Sequence, residues 1–247
     1  WDVSRVTFMS NMFYGATAFN NGDASGATTG VDMTWQTPAL TGIYGMFYGA
    51  SNFNQNLETW DASRLTTLGT TFMGATRFNN GKASGVGGTF WSTSPRGISS
   101  SMTYMQETFS SASAFNQNIS AWNTINNTDL YGTFDRATVF NNGAASGVST
   151  PMNWNTSKVN RMTLAFRNAS AFNADISGWN TALVTNMVDA FSGASTFNQN
   201  ISGWDTSRVT LMTRMFQNAA AFNQSLANWN TSQVQKFDYM FNGATNF

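Results

Sequence analysis

Side chains able to do covalent or acid–base chemistry are scarce in this chain. Its 247 residues include no His and no Cys, and its only carboxylates are Glu58, Glu107 and ten Asp. The commonest general bases, nucleophiles and soft metal ligands are therefore missing or rare. No nucleophile elbow, phosphate loop or dinucleotide fingerprint occurs. The segment A-S-G recurs at Ser25, Ser84 and Ser146, but no base recurs beside it, so it reads as a turn rather than a nucleophile. Asp and Arg recur three apart, as Asp2 with Arg5, Asp61 with Arg64 and Asp205 with Arg208. They could pair within a coil, but exposed pairs contribute about 0 to 1 kcal/mol, so they read as solvated edge charges. The expectation is a non-enzyme with no catalytic residue, cofactor or metal.

Regular spacing does bring one reactive group into register. Threonine recurs at Thr7, Thr41, Thr66, Thr103, Thr128, Thr185 and Thr210, with Asn160 and Gln235 completing the series. On a flat parallel sheet these hydroxyls form a column that matches a crystalline or polysaccharide lattice, ice included, and they are the candidate surface contacts. The β-propensity of Thr on an exposed strand accounts for the same column without a ligand. Glycosylation sequons stand at Asn118, Asn126, Asn155, Asn168, Asn200 and Asn230. They read as glycan sites in a eukaryotic or viral source and as turn residues otherwise.

The elements that hold this column are repeats. Tryptophan stands at Trp1, Trp35, Trp60, Trp91, Trp122, Trp154, Trp179, Trp204 and Trp229, separated by 34, 25, 31, 31, 32, 25, 25 and 25 residues, so the unit is 25 and the excess is insertion. With Trp as position zero, 18 of the 21 Phe fall at position 12 (Phe13 to Phe241) or position 18 (Phe19 to Phe247), counted in the fourth unit after a six-residue insertion. Ala occupies position 15 throughout and Asn position 19 wherever the unit reaches it. A period of this length marks a stacked repeat architecture, which works through long surfaces more than through one pocket.

Within a unit, apolar residues at positions 8, 11, 12, 15 and 18 step by three or four, as Met212, Met215, Phe216, Ala219 and Phe222 do. That spacing predicts a short helix. Val or Leu at position 5 beside the Thr of position 6 predicts a short strand. Asn at 19, followed by Gln-Asn or Asn-Gly, predicts a turn, with its amide on main-chain groups at the bend and stacked Asn forming a ladder. The expected fold is an α/β repeat solenoid. Each of nine coils would hold one short parallel strand and one short helix, in a single domain over 1–247. Units one, three and five carry extra segments sharing N-N-G-x-A-S-G, and unit four carries its extra residues around Pro95 and Gly97. All enter between positions 19 and 5, so they decorate one edge, a common binding side of repeat proteins and an equally common place for loop drift.

Formal charge is zero, from 24 scattered charged residues, which gives no footprint for nucleic acid or an anionic membrane. No apolar run reaches the ~18 residues of a membrane helix. A Cys-free chain leaves the redox compartment open, and three Lys amid abundant Asn, Thr, Ser and Gly favour a secreted or surface location. The first residue is a repeat Trp and the last a repeat Phe, so the sequence reads as an excerpt, or as a column whose open ends meet neighbours.

The phrase W-D-T-S-R-V-T-L-M-T-R-M-F-Q-N-A-A-A-F-N-Q-S-L-A-N-W, from Trp204 to Trp229, resembles a bacterial surface-protein repeat of about 26 residues. That repeat occurs in mycoplasma and Listeria-type surface lipoproteins, often grouped with BspA-like leucine-rich proteins. The resemblance spans the chain and implies a solenoid resembling leucine-rich repeats, carried on a cell surface or secreted, with structural or adhesive roles. The expected function is thus a structural surface protein, in one version a fibre subunit stacking head to tail, with self-association or neighbouring copies as partners. The alternative is an adhesin for a glycan or host surface, using Tyr14, Tyr48, Tyr104 or Phe90 and the edge insertions.

Overall fold

The computed structural model describes residues 1–23, 33–92 and 95–247. The repeats form coils stacked one on the next, and the main chain is bonded along the stack. In coil 8 the N–H groups of Met212, Arg214, Phe216 and Asn218 donate to the carbonyls of Lys236, Asp238, Met240 and Asn242 in coil 9, at 2.8 to 3.1 Å. The intervening N–H groups of Met215, Gln217 and Ala219 turn back to Met212, Arg214 and Phe216 of their own coil, at 3.1 to 3.2 Å. Each segment from position 8 to 15 therefore alternates bonds along the stack with tight turns, and the same pattern recurs from coil to coil. Orphaned main-chain groups in a buried segment are costly, and this alternation satisfies both donors and acceptors.

The α/β solenoid is overturned here. No helix forms among the described residues, and extended pairing is limited to isolated parallel bridges such as Phe8 with Gly42 and Leu211 with Lys236. The cause lies at positions 10 and 14, which are left-handed in every coil: Asn11 and Gly15, Gly45 and Gly49, Thr70 and Gly74, through Arg214 and Asn218 to Tyr239 and Gly243. One left-handed residue every fourth position turns the chain before a run of i→i+4 bonds can propagate. Successive turns return an apolar side chain inward every three or four residues, which mimics the helical period. Without a helix or a continuous strand in each coil, the leucine-rich-repeat likeness also falls.

The core is one contiguous cluster reaching from Val3 to Met240. Two phenylalanine columns run through it. Position-12 rings stack at 5.3 to 5.7 Å from Phe13 to Phe241, and position-18 rings at 5.6 to 6.0 Å from Phe19 to Phe247. The columns touch within each coil, as Phe134 does with Phe140 at 4.1 Å. Tryptophans from Trp60 onward are buried, and each indole N–H is satisfied across one layer, Trp154 on the Ile119 carbonyl at 2.9 Å and Trp204 on Ile176 at 3.2 Å. Where an insertion replaces the usual Ile or Leu, Met33, Phe90 and Met152 supply the accepting carbonyl to Trp60, Trp122 and Trp179.

The asparagine ladder is present. The main-chain N–H of Asn54, Asn79, Asn116, Asn141, Asn173, Asn198 and Asn223 each donates to the side-chain oxygen of the preceding Asn, starting from Asn20, at 2.7 to 2.9 Å. The amide nitrogens of Asn79 and Asn141 reach sideways to the carbonyls of Ala83 and Val86, and of Ala145 and Val148. They pin the inserted loops 79–88 and 141–150, which lie so close that a Cβ on Gly87 would overlap the Gly143 carbonyl. Ser84 and Ser146 stand in these pinned turns, whereas Ser25 lies outside the described residues.

Candidate functional site

Positions 6, 7 and 9 carry the threonines and Tyr104 on the lateral surface of the stack. The threonines stand in file from coil to coil, beside isolated bridges and not on the flat parallel sheet expected. Thr7, Thr66, Thr103, Thr128 and Thr185 are exposed and Thr41 and Thr210 half-buried. Their hydroxyls face inward to the main chain: Thr41, Thr66, Thr103, Thr185 and Thr210 each donate to the position-6 carbonyl of the preceding coil, at 3.1 to 3.4 Å. A second hydroxyl file runs along position 16, where Ser51, Thr76, Ser113, Thr138, Ser170 and Ser195 bond the preceding carbonyl in the same way. The bonded members of both files spend their donors on the fold, with oxygen lone pairs left toward solvent.

Beside the threonines, coils 4 to 6 carry a connected network that single-unit reading misses. The Tyr104 hydroxyl donates to Gln106 Oε1, and Gln106 Nε2 donates to Asp129 Oδ2. Asp129 also accepts the Tyr131 main-chain N–H at 2.8 Å and Arg161 Nε at 3.1 Å. The Arg161 guanidinium in turn lies 4.5 Å from the centre of the Tyr131 ring, within cation–π range. The members stand at positions 7 and 9, which vary from coil to coil and have no consensus residue, so no repeat signal marks them.

Two glycines shape this face. A Cβ on Gly69 would sit 2.5 Å from the Tyr104 ring and 3.0 Å from Tyr44, and one on Gly42 would sit 2.8 Å from Phe8. The rings therefore lie down over bare main chain, with Tyr44 43% and Phe8 67% exposed. Further along, Tyr14 and Tyr48 stack at 4.5 Å, Tyr14 exposed and Tyr48 half-buried. Phe90 is not a surface contact. It is fully buried, packed 4.3 Å from Trp91 and 5.6 Å from Phe78, because it takes the apolar site that the insertion vacates.

Charged groups pair from coil to coil at equal positions. Arg167 bonds Asp135 and Arg214 bonds Asp189, both at 2.7 Å with the carboxylate buried. The Asp and Arg of one unit form no ion pair, and apart from half-buried Asp61 they stand exposed as edge charges. Asp61 and Asp205 instead accept the N–H of Ser63 and Ser207 two residues on, at 2.9 Å, the Asx-turn arrangement. The Ser207 hydroxyl and N–H hold the Asp205 carboxyl below its ordinary range. Glu107 is pushed up by burial and then by the nearby Asp135, and burial also raises Glu58. These carboxyls sit in different coils with different partners. Asn118, Asn155, Asn168, Asn200 and Asn230 of the sequons are exposed and Asn126 half-buried.

No grouping of three or more metal-ligating side chains occurs among the described residues, nor does a helix long and apolar enough to cross a membrane. The lateral hollows are small, about 290 Å³ at Trp154, Asp175 and Trp179, and about 320 Å³ at Arg77, Lys82 and Ser84.

A stack of near-identical coils with a differentiated lateral face defines a repeat protein. The chain belongs to the family described as "Mycoplasma protein of unknown function, DUF285", whose model matches residues 23–95, 98–150 and 143–247. The match agrees with the mycoplasma side of the resemblance and does not extend to BspA-like leucine-rich membership. No curated protein and no solved structure matches the chain.

Proposed function

We propose that this chain is a non-enzymatic repeat column displayed outside the cell, where it serves as a structural element of the surface. The observation that carries the reading is the uniform coil-to-coil bonding, in which asparagine, phenylalanine and main-chain ladders all run along one axis. Such an object transmits load and holds distance along its length. Paired or dispersed titratable groups fit the same reading, since a catalytic site needs them convergent. The lysine-poor polar composition and the resemblance to surface lipoproteins support the extracellular location. Protease shaving of intact source cells tests the location: release of array peptides is expected, and full protection of the array sinks it. Negative-stain microscopy of the purified full protein tests self-association, with filaments expected for the fibre version and dispersed particles removing it.

A second reading, adhesion, is favoured by the tyrosine-bearing face of coils 2 to 6. Residues on a regular scaffold that depart from the repeat and stay accessible are where such proteins place recognition. Attachment of intact cells to an immobilised host-glycan panel, reduced by adding the soluble array, is the expected behaviour; attachment that excess array leaves unchanged removes this reading.

A further inference from the structure

We propose that coils 2 to 6 carry a binding strip for a neutral polysaccharide, laid along the stack across Tyr44, Tyr104 and Tyr131. The inference rests on the adhesive reading above and names its ligand class. Three features of the face point to this chemistry.

The first is ring posture. With no side chain at Gly69, Tyr44 and Tyr104 approach the same point from neighbouring coils and lie over it, and the Tyr131 ring is held by Arg161. Flat, partly exposed aromatic rings match the C–H faces of a pyranose, being apolar on the face and polar at the hydroxyl tip. The second is the edge. Gln106, Asp129 and Arg161 are planar groups locked to one another, so their orientation is set before a ligand arrives, which lowers the entropy lost on binding. Arg161 uses Nε and Nη2 on Asp129, which leaves Nη1 for a sugar hydroxyl, and the Tyr104 oxygen keeps lone pairs to accept one.

The third is charge and shape. Asp129 and Arg161 neutralise each other, and the chain as a whole has zero formal charge, so nothing on the strip selects a polyanion. The rings stand on a lateral face and line no deep hollow, which suits an extended polymer better than a small molecule. With coils about 4.8 Å apart, the four intervals from coil 2 to coil 6 span about 20 Å, room for several consecutive sugars.

Native electrophoresis of the whole chain through gels containing hydroxyethylcellulose, galactomannan or dextran tests the proposal, with heparin as the polyanion and bovine albumin as the reference protein. Retardation by at least one neutral polymer is expected. Tyr104→Ala and Tyr131→Ala should each weaken it by about tenfold, as buried aromatic anchors do. Tyr104→Phe, which keeps the ring and the packing on Gly69, should keep most of the retardation, and Tyr239→Ala in coil 9 should keep all of it. Melting curves that match the parent chain establish that each variant is folded. No retardation by any neutral polymer overturns the proposal, as does retardation by heparin alone, or retardation that both alanine variants retain. A chain that fails here removes the strip, while soluble array that still blocks cell attachment to the glycan panel keeps the adhesive reading, so the two failures are told apart.

Discussion

The main-chain N–H of Asn141 donates to Oδ1 of Asn116 at 2.7 Å, from the same position one coil later. The Asn116 amide makes three further bonds: its oxygen accepts the Gly143 N–H at 3.1 Å, and its nitrogen donates to the carbonyls of Gly85 at 3.0 Å and Ala144 at 2.9 Å. One buried side chain thus ties coil 4 to coil 5 and both to the two inserted loops. Asn116→Ala leaves those groups without partners, and each buried unmade bond costs about 1 to 3 kcal/mol. With partial relaxation, the predicted loss is about 2 to 4 kcal/mol by urea denaturation. Faster amide exchange over 79–88 and 141–150 should accompany it, whereas a loss below about 0.5 kcal/mol would mean that solvent replaces the ladder.

Phe134 is held on three sides within the core, 5.7 Å from Phe109, 5.3 Å from Phe166 and 5.9 Å from Trp154. Phe134→Ala should cost about 3 to 5 kcal/mol, from lost transfer energy plus the cavity left behind. The arrangement adds a second consequence. Stability in a stacked array is a sum of units and nearest-neighbour interfaces, so weakening a middle interface partly uncouples coils 1–4 from coils 6–9. Calorimetry of the variant should show a broadened or split transition, where a single sharp one at lower temperature would mean that coupling bypasses the rings.

How far the repeat can be read depends on which link is asked for. Residues that stack on their own kind, the Phe, Trp and Asn columns, recur at one position per unit, so the amino-acid order alone reveals them. Local conformation is harder, because spacing cannot separate a helix from a ribbon of turns: Met212, Met215, Phe216 and Ala219 fit both. The discriminating signal lies at position 14, where Gly15, Gly49, Gly74, Gly193 and Gly243, with Asn168 and Asn218, are the residues that enter the left-handed region most easily. The tyrosine face is less accessible to sequence reading. Tyr104 stands out as an aromatic, but Gln106, Asp129 and Arg161 become neighbours only when coils of unequal length are laid in register. Phe90 misleads for the same reason, since its burial follows from an insertion that shifts the core residue.

Backbone conformation at position 14 yields a pair of opposite predictions. Gly193 has φ of +72°, and an added Cβ would collide with Oδ1 of Asn168 in the preceding coil. Gly193→Ala should therefore destabilise by about 1 to 3 kcal/mol. Arg136 occupies the same position in coil 5 with φ of +58° and an exposed side chain. Arg136→Gly removes that conformational penalty, offset in part by greater freedom of the unfolded chain, for a net gain of up to about 1 kcal/mol. Thermal melts of the two variants side by side check the sign, and destabilisation by Arg136→Gly would mean that the Arg136 side chain contributes more than its strain.

Glu58 supplies a pH test. Its carboxylate oxygen accepts the Trp91 main-chain N–H at 3.2 Å and Asn80 Nδ2 at 3.1 Å, both of which favour ionisation, as does Lys82 nearby. Burial nevertheless dominates and raises its pKa, so the folded chain holds this proton more tightly than the unfolded one. Where the folded state binds more protons, stability falls as pH rises. The contribution is fully present below the ordinary carboxyl range and is lost as pH climbs through the raised value. Glu107 acts in the same direction, through burial and the Asp135 charge. Urea midpoints measured between about pH 4 and pH 7 should show a falling component that Glu58→Gln diminishes, because the amide oxygen still accepts the Trp91 N–H and no proton is at stake. A steeper fall in Glu58→Gln than in the parent would mean that its hydrogen bonds, and not burial, govern this carboxyl in the folded chain.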